Sequence, residues 1–271
     1  MRPSGATGRR STLIALASTV VFVVVVALVV SNSPGWPEVK RLFFNGEVFR
    51  ESLEVIPEAF LLNVKIFLLA ELAILPCALL IAVLRGLPGA VFFPLRAFAV
   101  AYADFFRGVP TVLVIYVLGF GVPALGLSRV PNEEVFWGGV ALVLVYSAYV
   151  SEVYRAGIES VHPSQEAAAR SLGLSHAKAL RFVILPQAVR RVIPPLLNDF
   201  IGLQKDTALV GLLGVVEAFK QSEIEVASTF NYTPYLVTAL LFIMLTIPLA
   251  RLTDWLVARD RRRQLAAGGA G

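Results

Sequence analysis

Behind Arg9 and Arg10 the chain runs from Leu13 to Val30 without one charged side chain, almost wholly as Val, Leu and Ala. A helix advances about 1.5 Å per residue, so a run of this length suits a hydrocarbon layer of about 30 Å. A secretory signal is the rival reading. Its apolar core is usually about 7–15 residues long, and Val29-Val30-Ser31-Asn32 offers no convincing small-x-small cleavage site. Residues 13–30 are therefore expected to remain as an uncleaved span.

Five more stretches have the same character: about Ala59–Leu84, Ala99–Val122, Val135–Arg155, Leu196–Val216 and Tyr235–Val257. They predict an all-α integral membrane protein of six transmembrane helices. Residues 1–12 and 258–271 form its termini, 31–58 a loop on the outer side, and 59–257 the main membrane domain. Pro76, Pro110 and Pro248 lie within or at the edges of these runs, where neighbouring helices satisfy the freed carbonyls. With 57% hydrophobic and 16% charged residues, a soluble domain is excluded.

Little in the chain suggests covalent chemistry. Cys77 is the single cysteine, so no disulfide closes within the chain. His162 and His176 lack metal-ligand spacing and read as solvated helix-end histidines, with no metal expected. No Ser/His/Asp, Cys/His or paired-His arrangement suggests a catalytic site, which argues against a membrane enzyme. No Gly-x-x-x-x-Gly-Lys-Ser/Thr phosphate loop occurs either.

Lys and Arg sort onto one side. With Arg2, Arg9 and Arg10 placed in the cytoplasm, the loops on that side carry Arg85, Arg96, Arg107, Arg155, Arg170, Lys178, Arg181, Arg190 and Arg191. The tail adds Arg259, Arg261, Arg262 and Arg263. The opposite loops hold Lys40, Arg41, Arg50, Arg129 and Lys220 with an excess of acids. The positive-inside rule then sets both termini in the cytoplasm of a multi-pass cytoplasmic-membrane protein.

One polar island, Gln165-Glu166-Ala167-Ala168-Ala169-Arg170-Ser171-Leu172-Gly173, falls on that cytoplasmic side. Pro163 or Ser164 suits the start of a short helix. Glu166 in its first turn meets the positive end of the helix dipole, and Arg170 four residues on is placed to pair with it. Gly173 suits a left-handed helix end. Ser175 can cap a second helix, His176 to Ile184, that Pro186 would break. The product is a helix–glycine–helix elbow over 163–186 whose alanines present a flat ridge to a partner.

The island resembles the glutamate-alanine-alanine coupling loop of bacterial ABC importer permeases. Arg107-Gly108-Val109-Pro110 is similar to a motif of their polar amino-acid branch. So are Ala148-Tyr149 through Ser151-Glu152 and Arg155 to Gly157-Ile158, then Leu185-Pro186-Gln187-Ala188, Pro194-Pro195-Leu196-Leu197-Asn198 and Lys205-Asp206-Thr207-Ala208-Leu209. Ser164, Val109 and Ala208 depart from the usual glycine, threonine and serine. The resemblance covers about 59–257, with 13–30 and 31–58 as additions to the shortest members. It implies a type I ABC importer permease fold with cytoplasmic coupling helices. It also implies an ATPase dimer that binds ATP and Mg outside this chain, a second identical or homologous permease subunit, and an extracytoplasmic amino-acid-binding protein. Apart from the bilayer, no other partner class is expected, nucleic acid included. Gln165, Glu166, Ala167, Ala168, Arg170, Gly173 and Leu174 are the candidate ATPase-coupling residues. A permease for another small solute, or an ATP-independent carrier, are the alternatives.

Charges at membrane depth are costly and face a cavity or a partner. Asn198, Asp199, Gln204, Lys205 and Asp206 concentrate on the fifth stretch, with Asp199, Leu203 and Asp206 on one helix face. They read either as a pore or gate lining able to take an ammonium and a carboxylate, or as helix-bracing ion pairs through Lys205. Glu152 and Arg155 read first as a structural pair beside the coupling loop. Lys65 and Glu71 stay open between pore-facing and snorkelling. Pro194-Pro195 is expected to bar a regular helix.

Overall fold

The computed structural model describes residues 5–268, and every regular element among them is helical. Arg2 and residues 269–271 of the expected tail lie outside the described residues. In chain order the helices are α1 (Gly5–Ser31), α2 (Trp36–Phe43), α3 (Gly46–Gly86), α4 (Phe93–Gly108), α5 (Thr111–Ala124) and α6 (Glu134–Glu159). Then follow α7 (Pro163–Ser171), α8 (His176–Ala179), α9 (Leu185–Asp206), α10 (Ala218–Thr229) and α11 (Thr233–Gly268). A π-helical turn, Leu180–Ile184, joins α8 to α9, and a 3₁₀ segment, Thr207–Leu213, follows α9.

Among the described residues, four segments are long and apolar enough to cross a membrane: Arg10–Ser31, Trp36–Gly86, Glu134–Glu159 and Thr233–Arg259. The pair α4 and α5 makes a fifth if taken as one span bent by 103°. The expected continuous span Ala99–Val122 is thus broken at Val109. The residue before a proline is pushed out of the helical region, and Val109 sits at φ −93°, ψ 132° ahead of Pro110.

The expected fifth span, Leu196–Val216, is not such a helix. Helix α9 begins earlier, at Leu185, and gives way to 3₁₀ geometry at Thr207 before Gly214 turns left-handed at φ 91°. Its polar content is compatible with its surroundings, because it packs between α6 and α11. Pro186 sits in its first turn instead of ending a helix, and Pro194 and Pro195 lie inside it without interrupting it. Proline's φ is already helical, and what it lacks is a hydrogen bond donor.

The loop expected over 31–58 is largely helical. Asn45 caps α3 by accepting from the amides of Glu47 (3.0 Å) and Val48 (3.2 Å), and Glu47 favours the same helix end. Ser52 and Ile56 of this early part are buried; Ile56 meets Ala218 of α10 and Val237 of α11.

Helix α6 is the hub, packed against α3, α4, α5 and α9. Small residues let it be so: Gly138, Ala141, Ser147, Ala148, Ser151 and Gly157 are all buried on it. At Gly157 an added Cβ would collide with Cγ1 of Val192, so the glycine is what admits α9 at this depth. The main core joins Phe67, Ile74, Ile115, Leu142, Val145, Leu203 and Val210 from α3, α5, α6, α9 and the 3₁₀ segment. In contrast, the described side chains of α1 are all exposed, as suits a helix surrounded by lipid.

A buried polar clasp joins α3, α10 and the 3₁₀ segment. Asn63 Nδ2 donates to Glu217 Oε2 (2.8 Å) and Thr207 Oγ1 (3.2 Å), while its Oδ1 accepts from the Ala218 amide (3.0 Å). Glu217, fully buried, caps α10 by accepting from the amides of Phe219 (2.9 Å) and Lys220 (2.8 Å). Three donors thereby reach the two carboxylate oxygens, which is what tolerates an acid at zero exposure.

Candidate functional site

The polar island folds as a braced elbow. His162, not Ser164, caps α7, its Nδ1 accepting from the Ser164 amide at 3.2 Å. At the other end Gly173 takes φ 83°, its amide donating to Arg170 O (2.9 Å) while the Leu174 amide reaches back to Ala169 O (3.2 Å). This is a Schellman closure, which requires a left-handed residue at that position.

Gln187 Nε2 donates to Gln165 Oε1 at 3.3 Å, and an Arg191 guanidinium N–H donates to Ser160 O. The first ties the elbow back to α9, and the second ties the end of α6 to the same helix. Val161, Ile184 and Ala188 form a small core beneath it, where the backbone runs through the π-helical turn.

The exposed side of the elbow is narrower than a ridge of alanines. Ala167 and Ala168 are exposed, but Ala169 is buried at 4% and belongs to the support. Arg170 is exposed, and an exposed pair of the kind expected with Glu166 is worth little. Leu172 is 84% exposed at the tip, immediately before Gly173. Sequence reasoning passed over it, although a leucine between Ser171 and Gly173 in a solvated turn was the available signal.

Above the elbow, the expected Glu152–Arg155 pair is part of a larger cluster. Glu152 Oε2 accepts from Arg155 Nε (3.0 Å) and Nη2 (2.8 Å), and Oε1 accepts from Arg85 of α3, with Arg107 of α4 at 3.5 Å. One carboxylate on α6 therefore gathers guanidinium groups from three helices. Arg85 and Arg107 are far away in sequence, and only the packing of α3, α4 and α6 reveals them.

The polar residues of α9 divide. Gln204 is buried, its Oε1 accepting from Thr246 Oγ1 of α11 at 2.7 Å, with Nε2 unpartnered. Asp206 Oδ2 accepts the Tyr146 hydroxyl at 2.9 Å. Asp199 has one buried, unpartnered carboxylate oxygen. Glu71 of α3 stands within electrostatic reach of Asp199. None of these acids forms a salt bridge among the described residues. Lys205, expected to brace or to line, is exposed without an ion pair, and so is Asn198 exposed. Lys65 is likewise exposed, on the rim of an apolar groove between α3 and α6.

Residues 75–262 match the sequence profile of the binding-protein-dependent transport system inner membrane component. The chain belongs to that family. It is 38% identical over 170 residues, 62% of this chain and 77% of the relative, to the probable glutamine ABC transporter permease protein GlnM of Bacillus subtilis (strain 168). It is 37% identical over 163 residues to the glutamate/aspartate import permease protein GltK of Escherichia coli O6:H1, covering 56% and 73% of the two chains. A solved structure described as an amino acid ABC transporter with histidines superposes with a TM-score of 0.70 at 30% identity, over 77% of this chain and 95% of the other. The inward-facing MetNI methionine ABC transporter agrees in fold, with a TM-score of 0.56 at 16% identity over 79% and 98%. The architecture is that of the ABC importer permeases, and the chain is an inner-membrane permease subunit of such a transporter.

Proposed function

We propose that this permease subunit imports polar amino acids by alternating access, with ATP hydrolysed by a separate ATPase dimer that also holds ATP and Mg. The relatives named for glutamine and for glutamate/aspartate import support the substrate class. The observation that carries the motor coupling is the braced elbow ending in the exposed Leu172 and the left-handed Gly173. Closure of the ATPase dimer draws two elbows together, and the rigid connection through α9 tilts the bundle to open the pore outward. Hydrolysis resets it. A second permease chain completes the pore and an extracytoplasmic binding protein delivers substrate. The chain itself carries no catalytic role. The test is uptake of labelled amino acids into proteoliposomes that contain the permease, its ATPase and its binding protein. ATP-dependent uptake is expected; uptake independent of ATP would select a secondary carrier instead.

This reading requires the elbow to be cytoplasmic, as the Lys/Arg bias places it. A cysteine introduced at Ser164 is expected to resist a membrane-impermeant thiol reagent in intact cells, while one at Asn132 reacts. Labelling at 164 from outside would invert the topology and remove the motor from its docking site.

The acids on α3 and α9 supply the polar route. Asp199, with an unpartnered buried oxygen, and Asp206, held by the Tyr146 hydroxyl, lie on one side of α9, and a substrate ammonium is the natural partner for the open oxygen of Asp199. Asp199→Asn is expected to leave assembly intact and to reduce uptake about tenfold, shifting preference away from cationic side chains, as loss of one charge contact of roughly 1.4 kcal/mol would. Lys205→Ala, which removes an exposed cation without a salt bridge among the described residues, is expected to leave thermal stability unchanged. Wild-type uptake and selectivity in Asp199→Asn would eliminate this face of α9 as the route.

A further inference from the structure

On the same side of the bundle as the elbow, a cavity of about 660 Å³ opens between the end of α3, the first half of α4 and the end of α6. Three guanidinium groups line it, from Arg85, Arg96 and Arg155, together with the carboxylate of Asp104. Their donors are not equally committed. Arg155 is occupied on all its nitrogens by Glu152 and Glu159. Arg85 gives one Nη to Glu152, which leaves Nε and Nη2 open.

Arg96 gives one Nη to the carbonyls of Leu87 (2.7 Å) and Gly89 (2.6 Å) and pairs with no carboxylate among the described residues. Those two backbone contacts fix the direction of the guanidinium without neutralising it. Two partly open guanidinium groups therefore line one cavity, the donor chemistry that suits a phosphate. Asp104, exposed and without a basic partner among the described residues, is placed to accept from a donor on the far side of such a group.

The rim of this cavity is apolar and uncovered. Phe93 on its wall is 63% exposed and Val100 38%, and Val91, two residues before Phe93 in the α3–α4 connection, is 86% exposed. A soluble phosphate has no use for such a rim, whereas an acyl chain does. We infer that the cavity holds the phosphate of an inner-leaflet glycerophospholipid whose headgroup carries a hydrogen bond donor toward Asp104. The acyl chains lie against the Phe93 side. Basic pockets between helices on the cytoplasmic side are the sites where anionic headgroups gain most. Because Arg85 also holds Glu152, the lipid bears directly on the cluster that joins α3, α4 and α6.

The inference rests on the cytoplasmic orientation proposed above, which thiol labelling at Ser164 reports independently. Native mass spectrometry of the detergent-purified permease–ATPase complex, supplied with phosphatidylglycerol and phosphatidylethanolamine, counts the phospholipids retained per permease chain. The wild-type chain is expected to retain one that Arg96→Gln lowers about fivefold in occupancy. Ala97→Trp, which fills the exposed cavity wall and removes no charge, is expected to do the same, and decides the matter if Arg96→Gln assembles poorly. Millimolar inorganic phosphate should leave the lipid in place. Wild-type lipid occupancy in assembled Ala97→Trp would overturn the inference. So would displacement by inorganic phosphate, which would make the cavity a site for free anions.

Discussion

Gly173→Val is expected to remove most substrate-stimulated ATP hydrolysis from the reconstituted complex while the chain still inserts. An added Cβ at Gly173 meets nothing within 4 Å, so the substitution creates no clash, and its effect is confined to the backbone at φ 83°. A left-handed conformation costs an L-residue roughly 1–2 kcal/mol, or about a tenfold fall in the population of the closed elbow. Leu172→Asp tests the same surface by a different route, placing a charge where an 84% exposed apolar side chain stands, with no loss to the fold. Glu166→Lys, which opposes the helix dipole in the first turn of α7, is expected to act in the same direction. Stimulated ATPase at the wild-type level in Gly173→Val would remove the elbow from the coupling mechanism.

The second large effect is expected at Glu152. Its side chain is 16% exposed and compensates Arg85, Arg107 and Arg155 together. Glu152→Gln keeps the shape and removes the charge, leaving guanidinium groups from three helices facing one another. Loss of one member of a buried charge pair destabilises by about 3–5 kcal/mol. Partial solvent access at Arg107 and Arg155 places this case toward the lower end. Thermal unfolding of the purified complex is the readout, and a clear fall in midpoint is expected. Arg155→Ala should cost much less, because Glu152 retains Arg85. Adding Arg85→Met to Glu152→Gln should recover part of the loss. An unchanged midpoint in Glu152→Gln alone would show that the cluster contributes nothing to holding α3, α4 and α6.

Both effects turn on residues that the sequence displays unequally. Gly173 and Glu166 are legible because a helix end and a helix dipole are local physics, determined within four or five neighbouring residues. The apolar runs at 13–30, 135–155 and 235–257 are legible for the same reason, since length and hydropathy alone decide whether a helix can cross lipid. The break at Val109-Pro110 was visible as a motif, but its 103° bend was not, because a proline in a membrane helix is accommodated or not according to its neighbours. Helix α3 was expected to begin at Ala59 because 46–58 is polar. Burial of Ser52 and Ile56 against α10 and α11 makes that segment helical instead.

The sequence by itself determined the membrane class, the side on which positive charge collects, and the elbow with its left-handed glycine. Each follows from composition or from contacts a few residues apart. Tertiary structure alone decided that Glu152 gathers Arg85 and Arg107, that Asn63 clasps Glu217, that Ala169 faces inward and Leu172 outward, and that Lys205 is exposed. Those outcomes depend on which helix lies against which. That is set by close packing of small residues such as Gly157 against Val192, at separations of tens of residues that no local pattern records.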